Sequence, residues 1–287
     1  MKKRRQILSI LLIAVLAGML AAGCKGADKA EADSAGGEKQ KIQDGAEDET
    51  KDAEKEPVTI LVAAAASLEY SYVDELIPMF ERKYPYITVK GTYDSSGKLQ
   101  TQIEEGLEAD VFMSAATKQM DALAEEGMVD KDSVSPLLKN KIVLITAADS
   151  ELDLKEFTDI TKADTIAIGD PASVPVGQYS EESLTSLGIW DEVLAKASLG
   201  TNVTEVLNWV AEGSAGAGIV YSTDAATTDK VKVVAEAPED SLAEPAVYPV
   251  GIVTASTHKE EAGLFLEFLK SSEAAAVFEK YGFTKYE

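Results

Sequence analysis

Arginine is nearly missing from this chain. Arg4, Arg5 and Arg82 are its only three, and two of them fall in the first five residues. Bidentate clamps on phosphate or carboxylate are therefore nearly excluded as a way to hold an anion. Histidine and cysteine occur once each, as His258 and Cys24, so no zinc or iron–sulfur site can be assembled and no disulfide framework exists. Positive charge is scarce in general: 27 Lys+Arg stand against 50 Asp+Glu, a formal net charge of −23. A chain this acidic, with no basic stripe, will not track a nucleic-acid backbone. What is present is an ordinary apolar content of 45 %, enough to predict a sizeable core.

The few positive charges at the start have a use. Lys2, Lys3, Arg4 and Arg5 precede an apolar run from Ile7 to Leu20, too short and too N-terminal for a stable span and matching the core of an export signal. The run ends in Leu20-Ala21-Ala22-Gly23-Cys24. This resembles the lipobox of bacterial lipoproteins, although Ala21 stands third before the cysteine where Leu is usual. Residues 1–23 are thus expected to be a signal peptide and Cys24 the lipidated first residue of the mature chain, holding it at the outer face of the cell membrane without a spanning helix. Residues 25–57 hold no aromatic side chain and are rich in Ala, Gly, Glu, Asp and Lys. Such a stretch cannot bury enough apolar surface to offset chain entropy, so 24–57 is expected to be an anchored, disordered acidic tether with a reach on the order of 30 Å. The acidity lies mostly beyond it: from Val58 onward the chain has 17 basic and 39 acidic residues.

From residue 58 short apolar runs alternate with amphipathic stretches. Strands are expected at 59–64, 87–93, 110–114, 141–147, 165–169, 217–221, 231–235 and 247–254. Helices are expected at 70–84, 99–106, 118–126, 181–187, 192–197, 203–212, 259–269 and 273–281. This alternation predicts α/β layers with mostly parallel sheets. If the strands at 142–146 and 247–253 both cross between two lobes, the chain leaves lobe 1, builds lobe 2 and returns. That gives lobe 1 as 58–140 plus 251–287 and lobe 2 as 141–250, with a cleft between.

The turns after these strands carry the chemistry. Ala63-Ala64-Ala65-Ala66-Ser67-Leu68 follows the first strand, with small residues that let a ligand approach and a serine either capping the next helix or facing a ligand. Asp94-Ser95-Ser96-Gly97-Lys98-Leu99 follows the second; it lacks the spacing of a nucleotide-binding loop, and Lys98 reads as a solvated side chain of the first helical turn. Gly169-Asp170-Pro171-Ala172-Ser173-Val174-Pro175-Val176-Gly177-Gln178-Tyr179 follows a strand of the second lobe, its prolines fixing a turn and Gly177 permitting close backbone approach. Thr201-Asn202-Val203 opens another helix, and Gly218-Ile219-Val220-Tyr221 ends a strand on a phenol. In open α/β sheets ligands sit at the carboxyl ends of strands, where all of these fall.

Together these motifs, with the run Ala109-Asp110-Val111-Phe112 between them and the ending Tyr281-Gly282-Phe283, resemble the molybdate-binding proteins of ABC importers over essentially all of 58–287. The resemblance implies a two-lobed, type II periplasmic-binding-protein fold closing on a tetrahedral oxyanion, molybdate or tungstate, for delivery to an ABC permease. It implies that Ser67 and Ser96 give hydroxyls and N–H groups, that Val176 and Val203 give backbone N–H groups, and that Tyr221 gives its phenol. All five contact the anion's oxygens rather than ligate its metal. No cofactor is implied, and the protein is expected to act as a monomer. Asp94 stands out of place, since a carboxylate so near a dianion repels it unless paired, and Lys98 is in reach.

A site lined only by donors suits a fully deprotonated anion, because a protonated oxygen needs an acceptor. Size then separates molybdate and tungstate from sulfate. Sulfate or another small oxyanion is the second reading. A serine-dependent enzyme is a third, weakened because His258 lies at an exposed helix start and no S-x-x-K or G-x-S-x-G pattern surrounds Ser67 or Ser96. A scaffold or adhesin fits the anchor but leaves the serine turns unexplained. Trp190 and Trp209 read as packing residues.

Overall fold

The computed structural model describes residues 55–287. The expected signal peptide, Cys24 and most of the tether lie outside the described residues.

Two sheets form, and each repeats one strand order. The first contains β1 (Val58–Ala65), β2 (Ile87–Asp94), β3 (Val111–Met113), β4 (Ser135–Asn140), β10 (Ala246–Ile252) and β11 (Thr284–Lys285). The second contains β5 (Ile142–Ala147), β6 (Ile166–Gly169), β7 (Ala197–Gly200), β8 (Ala217–Tyr221) and β9 (Val231–Glu236). Three parallel strands come first, β2-β1-β3 in one sheet and β7-β6-β8 in the other. Next to them lies an antiparallel strand that has arrived from the opposite lobe, β10 and β5 respectively, followed by β4 and β9. The sheets are therefore mixed rather than mostly parallel. An arriving strand enters without a crossover helix of its own, so nothing reverses its direction to match its neighbours.

The crossings also differ from expectation. β5 pairs wholly within the second sheet and β10 wholly within the first, so neither strand itself bridges the lobes. The outward passage is the single residue Lys141 and the return is 237–245. A lobe boundary at 250/251 would cut β10, which pairs with β4 from Ala246 onward. The passages run side by side: Ala237 N–H donates to the Ile142 carbonyl at 2.9 Å, and Ala246 pairs with Asn140.

Register brings the turns together. Ala65 lies beside Asp94 and Ala64 beside Met113, so the segments after β1, β2 and β3 leave one edge of the first sheet side by side. In the second sheet Gly169 lies beside Gly200. Alternation along β1 sends side chains to two cores. Ile60 and Val62 join the helical run 66–83 and the C-terminal helices Lys259–Leu269 and Ser272–Lys280, where Phe80 meets Phe265 edge-on at 4.9 Å. Ala63 faces the helices Ser96–Glu104 and Thr117–Glu125 with Leu99, Phe112 and Met120. The run 66–83 opens as a 3-10 turn, Ala66–Leu68, and carries a π turn at Tyr72–Leu76. Pro78 follows that turn and has no N–H to donate, so the ladder must shift register ahead of it. Trp190 and Trp209 are partly buried against the main core, as packing residues.

Candidate functional site

Ser67, Ser96, Val176, Val203 and Tyr221 all line one small cavity between the lobes, with a free volume of about 10 Å³. They share it with Ala65, Ala66, Asp94, Ser95, Ala115, Val174 and Pro175. No Lys, Arg or His lines it. Each element ends there for a local reason. Ser96 is the first residue of its helix, whose N-cap Ser95 makes no side-chain cap bond. Pro175 opens the helix Pro175–Ser186, its missing N–H costing nothing in the first turn. Val203 opens Val203–Ala211 behind Asn202, whose side chain accepts from Glu205 N–H. Helix starts leave their first N–H groups without intrahelical partners and carry partial positive charge. The cavity thus collects N–H groups and hydroxyls from both lobes without one cationic side chain.

Two local expectations need correction. The helix after Gly169 begins at Pro175, six residues before the expected Glu181, so Gly177 is helical rather than part of a turn. The close approach expected of Gly177 is real, since a Cβ there would lie 2.2 Å from the Gly169 carbonyl oxygen. Ser67 is not a helix cap: it lies within the 3-10 turn, whose N-cap is Ala65. Its Oγ is instead 2.9 Å from the Tyr248 hydroxyl.

The hydrogen-bond polarity of Ser96 is informative. Ala115 N–H donates to Ser96 Oγ at 2.9 Å. An N–H can only donate, so the serine's own hydrogen is left for another acceptor. The Tyr221 hydroxyl donates to the Ala115 carbonyl over a long 3.3 Å. Burial pushes the Tyr221 and Tyr248 phenols well above their ordinary range, so both remain protonated donors. Asp94 is held away from anionic isolation: its Oδ1 accepts from Ser95 N–H at 2.8 Å, Lys98 Nζ at 3.3 Å and Asn202 Nδ2 at 3.3 Å. Lys98 is thus the partner that Asp94 needs, while its own side chain stays partly exposed.

Ser95 was not singled out by the sequence. The residue lines the cavity, and its Oγ is buried and makes no hydrogen bond within the described residues. The only signal was the doubled serine after Asp94. Tyr248, Asn140 and Ala115 were also missed, because nothing local marks a residue whose partner is 100 or more positions away.

The lobes meet directly across the cleft. Gly97 N–H donates to the Ser173 carbonyl at 3.0 Å, and a Cβ on Gly97 would lie 2.3 Å from that oxygen. Gln119 Nε2 donates to Gln178 Oε1 at 3.2 Å. Neither Ser67 nor Ser96 hydrogen-bonds an imidazole, amine or carboxylate, and His258 instead lines a separate groove on lobe 1 with Glu104 and Asp110. No group of three or more metal-ligating side chains occurs among the described residues. None of their helices is long and apolar enough to cross a membrane.

Comparison with known proteins agrees with this architecture. A Bacillus subtilis chain named as an ABC transporter substrate-binding lipoprotein, YvgL, is 38 % identical over 276 residues, 96 % of this chain and 97 % of its own. The molybdate-binding protein ModA of Haemophilus influenzae is 37 % identical over 230 residues, covering 78 % of this chain and 89 % of its own. A solved structure described as the substrate-binding domain of a molybdenum ABC transporter from Clostridium difficile superposes with a TM-score of 0.63 at 38 % identity, covering 80 % of this chain and all of that one. The family model described as bacterial extracellular solute-binding protein matches residues 60–284. The chain belongs to the bacterial extracellular solute-binding protein family.

Proposed function

We propose that the protein captures molybdate, with tungstate as the alternative cargo, outside the cell membrane and delivers it to an ABC permease. The observation that carries the reading is the lining of the cavity: Ser67, Ser96 and Tyr221 hydroxyls and the helix starts at Ser96, Pro175 and Val203 converge with no Lys or Arg. Hydrogen bonds from such groups to a full negative charge are the strong, charge-assisted kind. A tetrahedral dianion needs many donors, and this set supplies them, while the one carboxylate in the lining, Asp94, is engaged by Ser95 N–H, Lys98 and Asn202. Ser67, Ser96, Val176, Val203 and Tyr221 are assigned as its contacts. Ser95 adds a buried hydroxyl with no protein partner in the described residues. The likeness to molybdate-binding relatives supports the same cargo. A lipid on Cys24 would keep the protein near its permease through the tether that follows.

Titration calorimetry with molybdate, tungstate and sulfate tests this. Strong heat with the first two and little with sulfate is expected. Tight sulfate binding without molybdate heat would overturn the cargo while leaving the oxyanion site intact.

A further inference from the structure

We infer that Asn140 and Tyr248 form a hydrogen-bond relay that fixes Ser67 as a one-way donor into the cleft, making both of them positioning residues for the anion. The inference rests on the oxyanion reading above and names residues that do not themselves line the cavity.

The direction of the bonds at Asn140 follows from one group that cannot reverse. Lys141 N–H can only donate, and it reaches Asn140 Oδ1 at 2.9 Å. That contact, with Ser222 Oγ donating to the same oxygen at 3.0 Å, fixes which end of the amide is oxygen. Asn140 Nδ2 therefore faces its remaining neighbours as a donor. It gives one hydrogen to Thr223 Oγ1 at 2.8 Å and the other to the Tyr248 hydroxyl oxygen at 3.1 Å. Tyr248 cannot aim its own hydrogen back at an NH₂ group. Ser67 Oγ, 2.9 Å away, is the neighbouring hydroxyl that takes it. Once Ser67 accepts from the phenol, its own hydrogen is left to point at whatever fills the cleft.

Ser96 reaches the same polarity by a shorter route, through Ala115 N–H. Two serines at the ends of different strands are thus both preset as donors, one by a backbone amide and one by two side chains. Burial keeps the longer route in force. Tyr248 is fully buried, and Asn140 and Thr223 are nearly so, which limits competition from water for these hydrogens. In such surroundings successive bonds polarise one another. The relay is also placed at the lobe junction. Asn140 ends β4 immediately before the outward passage, Tyr248 lies on β10 after the return, and Ser222 and Thr223 belong to lobe 2.

A double-mutant cycle on the full chain, read by calorimetry with molybdate, tests the relay. Tyr248→Phe removes the donor behind Ser67 and is expected to weaken binding about tenfold, the effect of one hydrogen bond. In a Ser67→Ala background the same change is expected to cost less than about twofold, because Tyr248 acts only through Ser67. Asn140→Asp supplies an acceptor where Nδ2 was a donor. It turns the phenol away from Ser67 and draws the serine's hydrogen toward Tyr248, so a loss of about a hundredfold is expected. In the Tyr248→Phe background only the added charge remains, and the Asn140→Asp loss shrinks by about tenfold. Melting of the anion-free variants checks that each folds; if Tyr248→Phe does not, the Asn140→Asp and Ser67→Ala pair carries the same cycle. Additive losses in both cycles, or unchanged affinity in Tyr248→Phe, overturn the relay while leaving the oxyanion site standing. A wild-type chain that takes up none of the three anions overturns the site, and the relay with it.

Discussion

Asp224 lies 5 % exposed in the short helix Ser222–Ala225, with its Oδ2 buried and lacking a hydrogen-bond partner among the described residues. Burial raises its carboxyl from 3.8 to about 8, and backbone hydrogen bonds at Asp224 and Tyr221 oppose that rise only in part. The folded chain therefore holds a proton there that the unfolded chain releases above pH 4. Between those two values the native state binds more protons than the unfolded one, so stability falls as pH rises and levels off near pH 8. The slope is about 1.4 kcal/mol per pH unit at most. From pH 5 to pH 7.5 the cost comes to about 3 kcal/mol, or roughly 6–12 °C in melting temperature for a domain of this size. Asp224→Asn keeps the shape and removes the titration. Thermal melts of the anion-free wild type and Asp224→Asn, compared at intervals from pH 5 to pH 7.5, should show the variant gaining on the wild type steadily as pH rises. A constant difference between the two across that range would refute the reasoning, since it would mean that the carboxyl is ionised in the folded chain throughout.

Gly97→Ala should weaken molybdate binding by tens of fold, in line with the cost of forcing a methyl group into a packed contact, because its Cβ would strike the Ser173 carbonyl of the other lobe. Calorimetry with molybdate on Gly97→Ala and the wild type checks this, and equal affinities would remove the contact from consideration. Ser96→Ala and Tyr221→Phe should each cost about 1.5–3 kcal/mol of affinity by calorimetry, and unchanged binding in both would remove them from the site. Raising sodium chloride from about 0.05 to 0.5 M should shift molybdate affinity by no more than about twofold, because hydroxyls and amides rather than distant charges hold the anion; a steep loss with salt would point to Lys98 instead.

Much of this architecture could be read from residue order, and the places where it could not share a cause. β1 and β8 are continuous apolar runs buried along most of their length, so their expected limits nearly match the structure. β4 went unseen because Pro136 and Lys139 interrupt any strand pattern. The structure tolerates Pro136 by setting it opposite Pro249, where the register slips and ladder bonds are not required. β7 has no expected counterpart: the helix expected at 192–197 reaches only its first residue, and two of its four residues are exposed, so no buried face marks a strand. Pro175 reads in sequence as a turn former and in the structure opens a helix, two roles that one fixed φ serves equally well. The five expected anion contacts do line one cavity, because each sits in a motif at a strand end. Tyr248 and Asn140 have no such mark. Their importance is created by pairing β10 with β4, a contact spanning more than a hundred residues.

That pairing has a consequence for how the protein is made. β10 fills the slot between β3 and β4, yet it lies more than a hundred residues downstream of both. An emerging chain therefore holds two unsatisfied strand edges in its first lobe until the whole second lobe has been synthesised. Lobe 2 carries all its strands within 142–236 and can close its sheet first. The lobe begun first is finished last, so an exported chain truncated anywhere before residue 246 leaves the half that holds Ser67 and Ser96 open to aggregation and proteolysis.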